Sequence, residues 1–316
     1  MKLRGIDFGP IWLASGTQGF FGEGYWFHHL SLGHVAKALN EATFVAKTVT
    51  LNKNKGHMAL TDVWQPQALF PYCIKTNFFK GIAINAVGLS NNGIEAALGT
   101  NKWQSRTKPF MLSFMPISET KSERLEETKN YVRHLRPHLP TFASLIALQV
   151  NLSCPNTGEN LKDLETEASE ILSILSELNV PLIPKFNVLT SPQTVKRISE
   201  EGHIDAVCIS NTIPYNQLPE KINWEKMFGK VSPLHELGGG GLSGAPLFPL
   251  VKRWVYTARM KGLELPINAG GGIMHAHQVD ELFTAGANSI SIGTVALLRP
   301  WRVGSIVERA HVLTKS

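Results

Sequence analysis

Hydrophobic residues along the chain form short, nearly continuous runs, and the later runs are separated by stretches with helical periodicity. Such runs are typical of parallel β-strands that helices cover on the outside. The strand candidates are residues 10–15, 43–49, 81–87, 109–115, 146–152, 181–187, 205–210, 265–270 and 289–294. The helix candidates are residues 122–139, 159–178, 191–202, 245–262 and 277–286. Ser191 and Pro192 mark one helix start, and Gly202 and Gly286 mark two helix ends.

Repeated β-then-α units predict a parallel sheet, and the chain length suits a single α/β barrel. Nine strand candidates are one too many for an eight-stranded ring. The run at 81–87 is the expected excursion, because no clear helix separates it from 43–49. Residues 52–80 between these runs carry Pro, Gly and Asn and predict a long, functional loop. We therefore expect a TIM (β/α)8 barrel with a long excursion after strand 2, formed by residues 1–316 as a single domain.

Composition adds limits to this picture. Apolar residues make up 43% of the chain and charged residues 18%, which is typical of a globular protein. The net charge of +6 is modest. The densest basic stretches, 51–58 and 251–262, are expected to be solvated faces, so no nucleic-acid partner is predicted. The N-terminus has no secretory pattern, and no run approaches the roughly 20 apolar residues that span a bilayer, so no membrane partner is predicted.

The cysteine content also carries information. Cys73, Cys154 and Cys208 lie far apart and form no C-x-x-C pair, so neither a zinc site nor an iron–sulfur cluster is predicted. An odd, sparse number of cysteines suits a reducing compartment. The predicted location is the cytoplasm.

The ends of the predicted strands carry the candidate chemistry, because TIM barrels place their active sites at the C-terminal ends of the strands. These ends are rich in Asn, Lys, Gly and Thr and poor in carboxylates. An Asp and Glu acid–base pair is therefore not expected. Lys47 and Lys185, together with the amides, favour a planar, amide-like anionic substrate and an anionic cofactor.

Two glycine-rich strand ends, at 268–272 and 292–294, predict a phosphate site. In many barrels the loops after strands 7 and 8 bind phosphate through backbone N–H groups, and glycine permits close approach. Residues 238–244 contain a formal G-x-G-x-x-G pattern, but no clear strand precedes it. For that segment we expect a loop that closes over a cofactor, and not a dinucleotide fingerprint.

Six motifs in order give the chain a family resemblance: "NAVGLSNNG", "NLSCPN", "SNT", "GGLSG", "AGGGI" and "SIGT". With these the sequence resembles the dihydroorotate dehydrogenases, FMN-containing barrel enzymes of pyrimidine synthesis, from residue 14 to residue 294. The resemblance implies FMN-dependent oxidation of (S)-dihydroorotate to orotate. It implies that Cys154 is the general base for the C5 proton, that the C6 hydride passes to flavin N5, and that Lys47 lies near both flavin and substrate.

The resemblance also implies binding residues. The substrate positions would be Asn85, Val87, Gly88, Leu89, Asn151, Asn156, Asn211 and Thr212. The cofactor positions would be Ala14, Ser15, Gly16, Lys47, Thr48, Asn151, Lys185, Ser210, Gly244, Gly271, Gly272, Gly293 and Thr294. Elementary chemistry agrees, because orotate presents amide donors and acceptors that Asn side chains can match. Lys185 would place positive charge at the flavin N1/O2 edge, which tunes its electronics.

The subclass is indicated by a cysteine at the base position, which resembles the soluble class 1 enzymes. The chain also enters its first predicted strand within about a dozen residues, which leaves no room for the N-terminal extension of class 2 enzymes. The threonine of the "SNT" motif, Thr212, instead resembles the class 2 enzymes. Residues 51–80 follow no class 1 loop, and "KFNVLTS" is an unusual ending for its strand.

Several alternatives stay open at this point. A paralogue that acts on a related cyclic amide, a dihydropyrimidine-type or dihydrouridine-type flavin oxidoreductase, and a non-catalytic flavin-binding barrel share parts of the pattern. Fumarate, NAD through an iron–sulfur partner and quinone are all chemically open as electron acceptors. A homodimer is one assembly that the chain allows.

Overall fold

The computed structural model describes residues 1–29, 33–152 and 161–315. The strands are β1 Lys2–Leu3, β2 Ile6–Asp7, β3 Ile11–Leu13, β4 Ile74–Asn77, β5 Ile82–Asn85, β6 Phe110–Phe114, β7 Ile146–Asn151, β8 Leu182–Phe186, β9 Val207–Ile209, β10 Ile213–Pro214, β11 Gly241–Gly244, β12 Ile267–Gly270 and β13 Ser289–Ile292. The helices are α1 His34–Asn40, α2 Ile94–Gly99, α3 Lys121–Leu135, α4 Leu161–Ser176, α5 Pro192–Glu200, α6 Trp224–Phe228, α7 Phe248–Met260, α8 His277–Thr284, α9 Thr294–Leu298 and α10 Val303–Lys315.

The main sheet is parallel and follows the order β3-β13-β12-β9-β8-β7-β6. Residues 43–49 join its two edges through isolated parallel bridges, which pair Thr43 with Trp12 and Val45 with Met111. Backbone hydrogen bonds reinforce the junction, including Leu13 N to Thr43 O at 2.9 Å and Ala46 N to Met111 O at 2.9 Å. The predicted TIM-barrel fold is therefore confirmed, with residues 43–49 in the position of the second strand.

A smaller antiparallel sheet lies outside the ring, in the order β10-β11-β5-β4. It contains β5, so the run at 81–87 is indeed not a barrel strand. It also contains β11, where the sequence predicted a loop, and that prediction was wrong. The edge-to-edge approach of β11 and β5 requires glycine, because a Cβ at Gly244 would collide with the carbonyl oxygen of Gly81. Its pairing partner β5 is about 160 residues away in the sequence, so no pattern of neighbouring residues predicted this strand.

The barrel strands sort their side chains by alternation. Ile11 and Leu13 point outward into the core shared with the helices, whereas Trp12 between them points into the barrel. The interior cluster at the N-terminal end is apolar and is completed by Leu3 and Phe8 of the N-terminal segment. Its other members are Trp12, Val45, Met111, Ala147, Ile183, Ala206 and Cys208. Because one end of the barrel is filled in this way, an open site can form at the other end.

Helix boundaries follow the local signals where those signals are strong. Pro192 is the first residue of α5, and Ser191 Oγ accepts a hydrogen bond from Thr194 N at 3.1 Å, as expected for the predicted start. Helix α10 was not predicted from the sequence. Its buried residues Val303, Ile306, Val307 and Ala310 show the spacing that would have identified it.

A buried ion pair connects α3 to α4. Arg124 Nη2 lies 2.6 Å from Glu167 Oε1, and Arg124 Nε lies 2.9 Å from Glu167 Oε2. The same guanidinium donates to the carbonyl oxygens of Ser118 and Glu119 at 2.9 and 2.6 Å. The pair thus fixes α4, the helix that follows the segment containing Cys154.

We expect Glu167→Ala to lower the free energy of unfolding by about 3–5 kcal/mol, because it leaves the Arg124 charge buried without its carboxylate. The double variant Arg124→Met/Glu167→Leu should recover most of this loss, since neither charge then stays buried. Urea denaturation followed by circular dichroism measures both changes.

The matched control is Lys121→Ala, which removes the exposed Lys121–Glu170 pair between the same two helices. This variant should leave the midpoint of unfolding almost unchanged. Equal effects of Glu167→Ala and Lys121→Ala would contradict the importance of the buried pair.

Candidate active site

A cavity of 810 Å³ opens at the C-terminal ends of the barrel strands, within the usual range of about 300–1,000 Å³ for ligand sites. Most of the predicted site residues meet here. Those in its lining are Ala14, Ser15, Gly16, Lys47, Thr48, Asn85, Val87, Gly88, Leu89, Asn151, Lys185, Ser210, Asn211, Thr212, Gly271, Gly272, Gly293 and Thr294. Gly244 lies outside the lining, and Cys154 and Asn156 lie outside the described residues.

Two asparagines at the floor of the cavity orient each other. Asn211 Nδ2 donates to Asn151 Oδ1 at 2.7 Å, while Asn211 Oδ1 accepts from Thr212 N at 3.0 Å. Both side chains are buried. This arrangement uses the carbonyl oxygen of Asn151, so its NH2 group is the part that can donate to a ligand.

Thr212, next to this pair, has a hydroxyl group, Oγ1, that is buried and lacks a hydrogen-bond partner within the described residues. Buried hydroxyl groups nearly always have one. Because Thr212 lines the cavity, a bound polar molecule is a suitable partner.

Two lysines bring positive charge to the same floor. Lys47 Nζ donates to Ser90 O at 3.0 Å and lies 4.9 Å from the centre of the Phe20 ring. Lys185 is buried in β8 and stands opposite Asn151 of β7. An anionic ligand would therefore be favoured here.

A chain of hydroxyl groups ties three barrel strands together under the rim. Ser15 Oγ lies 3.1 Å from Thr48 Oγ1, which lies 2.8 Å from Ser113 Oγ. Ser15 Oγ also donates to Ala46 O at 2.8 Å. Ser15 and Thr48 line the cavity, so these contacts hold its wall in a fixed position.

Glycines form a cradle on the opposite side of the cavity. A Cβ at Gly272 would lie 2.6 Å from both Gly244 O and Phe248 N, and Phe248 is the first residue of α7. A Cβ at Gly293 would lie 3.0 Å from the Cβ of Ala14. Glycine at these two positions lets the backbone segments pack closely, at Gly272 beside the N-terminus of α7.

Gly244 contributes to this cradle from outside the cavity. Its carbonyl oxygen packs against Gly272, and its own Cα packs against Gly81. Gly244 as a cofactor contact stays a prediction from the sequence. Its observed surroundings are those of a glycine needed for close packing of the backbone.

The wall at the mouth of the cavity was not named from the sequence. It contains Trp26, Phe27, Leu69, Phe70, Phe78 and Leu297. Phe70 is 81% exposed, and its ring lies 6.0 Å from that of Trp26. Phe78 lies 5.6 Å from the ring of Trp301. The clusters "LFPY" and "NFFK", in a segment otherwise read as a loop, were the available signal.

The fold and this cavity define a (β/α)8-barrel enzyme whose site is built from the ends of its strands. The chain belongs to the dihydroorotate dehydrogenase family. The family model described as "Dihydroorotate dehydrogenase" matches residues 1–310. This match confirms the resemblance seen in the motifs, and it identifies the chain as an oxidoreductase acting on CH–CH bonds.

Individual relatives agree with this assignment. The chain is 31% identical over 314 residues to the "Dihydroorotate dehydrogenase B (NAD(+)), catalytic subunit" of Caldicellulosiruptor saccharolyticus, covering 95% of this chain and 88% of the relative. It is 28% identical to the protein of the same name from Staphylococcus carnosus, covering 99% and 92%.

Solved structures support the fold. The dihydroorotate dehydrogenase of Eimeria tenella in complex with ferulenol matches with a TM-score of 0.68 at 17% identity, covering 99% of this chain and 84% of that one. Its ligand-free form matches with a TM-score of 0.69. Among the helices that the structure describes, none is both long enough and apolar enough to cross a bilayer.

The two described cysteines are unsuited to acid–base chemistry in the cavity. Neither Cys73 nor Cys208 is in its lining, and both are buried. Burial raises the pKa of the Cys73 thiol and raises the pKa of Cys208 to about 11, while Cys208 Sγ donates to Asn268 Oδ1 at 3.3 Å. At neutral pH both groups are therefore held as thiols.

In a Cys154→Ala variant, we expect neither remaining cysteine to react with an aromatic disulfide reagent at pH 8 while the protein is folded. A raised pKa leaves little thiolate at that pH, and burial blocks access. Both should react after unfolding in guanidinium chloride, which serves as the control. A fast-reacting thiol in the folded variant would contradict the burial of these two residues.

Proposed function

We propose that the protein catalyses the FMN-dependent oxidation of (S)-dihydroorotate to orotate, the activity for which its family is named. The observation that carries the proposal is the convergence of Asn85, Asn151 and Asn211 with two lysines on one cavity. Amide groups suit the donors and acceptors of a pyrimidine ring, and the lysines suit its carboxylate. Such a polar site selects strongly against molecules that lack the matching groups.

The residues present fit FMN as the cofactor. Gly271, Gly272 and Gly293, with Thr294, would hold the phosphate, because they line the cavity and glycine has no side chain to keep a ligand from the backbone. Ala14, Ser15 and Gly16 would lie along the flavin, and Lys185 would supply positive charge beside it. When bound, the flavin supplies the acceptor for the hydride that leaves C6 of the substrate.

The asparagines and the loop at 85–89 would position the substrate. The Asn211–Asn151 pair fixes which atoms of the two amides face the ligand. The buried Oγ1 of Thr212 would gain its missing partner from the substrate. Bound in this way, the ring of dihydroorotate would be held in one orientation relative to the catalytic base.

For the base we propose Cys154, which follows Asn151 by three residues. A free cysteine has a pKa of about 8.5, and the positive charge of Lys47 and Lys185 at the floor would stabilise its thiolate. The thiolate would remove the C5 proton. Asn156 is proposed as a further substrate contact on the same segment.

For the second half of the reaction we propose NAD⁺ as the electron acceptor, reached through another subunit. The curated relatives are named catalytic subunits of NAD(+) enzymes. The exposed aromatic side chains around the mouth, including Phe70, Phe78 and Trp301, support this proposal. Aromatic residues are enriched where proteins dock on each other.

We expect the purified protein to be yellow and to contain about one FMN per chain. Gly272→Ala should lose most of this FMN, because the added methyl group would meet Gly244 O and Phe248 N. Gly304→Ala is the matched control, since a Cβ there has no atom within 4 Å. Flavin released by denaturation and separated by chromatography gives the content. A colourless wild type that cannot be reconstituted would refute the cofactor assignment.

Anaerobic addition of dihydroorotate should bleach the flavin absorbance of the wild type, while dihydrouracil should not. Cys154→Ala should keep its FMN and bind orotate but be reduced about 10²-fold more slowly or worse, the usual scale for loss of a general base. Cys154→Ser should be slow at neutral pH and recover partly as pH rises. Stopped-flow absorbance measures these rates.

Three results would count against the proposal. Bleaching by dihydrouracil instead of dihydroorotate would favour a dihydropyrimidine-type enzyme. A flavin that neither substrate reduces would favour a non-catalytic barrel. Reduction of Cys154→Ala at the wild-type rate would remove Cys154 from the mechanism.

A further inference from the structure

We propose that Asn54 and His57 are positioning residues that hold the loop 86–90 in the one conformation that presents its N–H groups to the carboxylate of the substrate. This inference rests on the proposed function and adds to it a set of residues that do not themselves line the cavity. It concerns the segment 53–58, which the sequence analysis could not relate to a known loop.

The loop 86–90 has an unusual backbone. Gly88 and Leu89 both adopt left-handed conformations, with φ of 66° and 55°. For leucine this conformation is unfavourable and needs support from its surroundings. Val87, Gly88 and Leu89 line the cavity, so the support has to come from the side away from the ligand.

Asn54 supplies part of that support. Its Nδ2 donates to Gly88 O at 2.8 Å and to Leu89 O at 3.2 Å, the carbonyl oxygens of the two left-handed residues. Its backbone N–H donates to Asn91 O, and the backbone N–H of Asn91 donates to Asn54 O, both at 2.9 Å. The side chain is therefore fixed in place by its own main chain and does not depend on the loop for its position.

His57 supports the preceding carbonyl groups. Its backbone N–H donates to Val87 O at 2.8 Å, and its Nδ1 lies 2.8 Å from Ala86 O. A carbonyl oxygen only accepts, so Nδ1 carries the proton in this contact. Gly56 lies so close that a Cβ there would be 2.5 Å from Val87 O and 2.6 Å from Gly88 O.

Together these contacts account for every carbonyl oxygen of the loop. Those of Ala86, Val87, Gly88 and Leu89 accept from Asn54 or His57, and that of Ser90 accepts from Lys47 Nζ. In the part of the chain that the structure describes, the N–H groups of Val87, Gly88 and Leu89 have no protein acceptor. Consecutive backbone donors of this kind form an anion-binding concavity.

The arrangement separates the two faces of the loop. The carbonyl oxygens of residues 86–89 are used by segment 53–58, whereas the N–H groups of Val87, Gly88 and Leu89, which line the cavity, have no acceptor among the described residues. A peptide flip would break a hydrogen bond to Asn54 or His57 and would present a carbonyl oxygen to the substrate. The two residues therefore favour a carboxylated ring over the same ring without its carboxylate.

The test uses Asn54→Ala and His57→Ala in the FMN-loaded protein. Each should raise the Kd for orotate and the KM for dihydroorotate by about tenfold, the effect of losing one to two modest hydrogen bonds, with kcat changed less than twofold. Uracil, which lacks the carboxylate, should bind to the variants as it binds to the wild type. A merely structural defect would weaken both ligands alike.

Two further variants sharpen the result. His57→Asn can still place a donor near Ala86 O and should restore most of the affinity that His57→Ala loses. Asn52→Ala is the matched control, because Asn52 directly precedes segment 53–58, is exposed, and its side chain makes no hydrogen bond among the described residues. It should behave as wild type. Equal losses for orotate and uracil, or no loss in either alanine variant, would overturn the proposal.

Hydrogen exchange separates this proposal from the proposed function. Without any ligand, the hydrogen-bonded amides of Ala86 and Asn91, at the two ends of the loop, should exchange faster in Asn54→Ala than in wild type or Asn52→Ala, because the loop loses its fixed conformation. Unchanged exchange would refute the positioning role even if dihydroorotate is the substrate. If the wild type fails to bind orotate, the proposed function falls, and exchange alone decides whether Asn54 holds the loop.

Discussion

The site depends on the closure of the barrel by residues 43–49. This segment makes isolated bridges to β3 and to β6, and it is the only connection between those two strands in the described ring. The hydroxyl chain from Ser15 through Thr48 to Ser113 adds side-chain bonds across the same junction. Lys47 lies within this segment, so the bridges that close the ring also fix the position of that lysine.

The interior of the barrel is divided along its length by polarity. Alternation sends every second side chain inward, and at the N-terminal end these are apolar, as with Trp12, Met111 and Ile183. Further along the same strands the inward positions become Asn151 and Lys185, which line the cavity. A polar site can therefore form directly above a packed core without a separate domain to support it.

The small antiparallel sheet gives the site its second side. It carries Asn85 at the end of β5 and brings it to the cavity from outside the ring. The loop that follows β5 is held from behind by segment 53–58. Residues 65–78 supply part of the wall at the mouth of the cavity, including Phe70 and Phe78. The excursion thus supplies one side of the cavity and part of its mouth.

The sequence by itself determined the repeating β-then-α order, the run that does not join the ring, and a set of strand-end residues that lie together in the lining of the cavity. These features are local, because strand periodicity and strand-end motifs can be read within a few neighbouring residues. The start of α5 at Ser191 and Pro192 is of the same kind.

Only the tertiary structure decided which distant segments meet. The strand at Gly241–Gly244 forms because β5 lies alongside it, and a side chain at position 244 is excluded by the carbonyl oxygen of Gly81. Asn54 and His57 gain their role from carbonyl groups about 30 residues away. No pattern of nearby residues encodes such contacts, because they depend on backbone groups that every residue carries and that only the folded chain brings together.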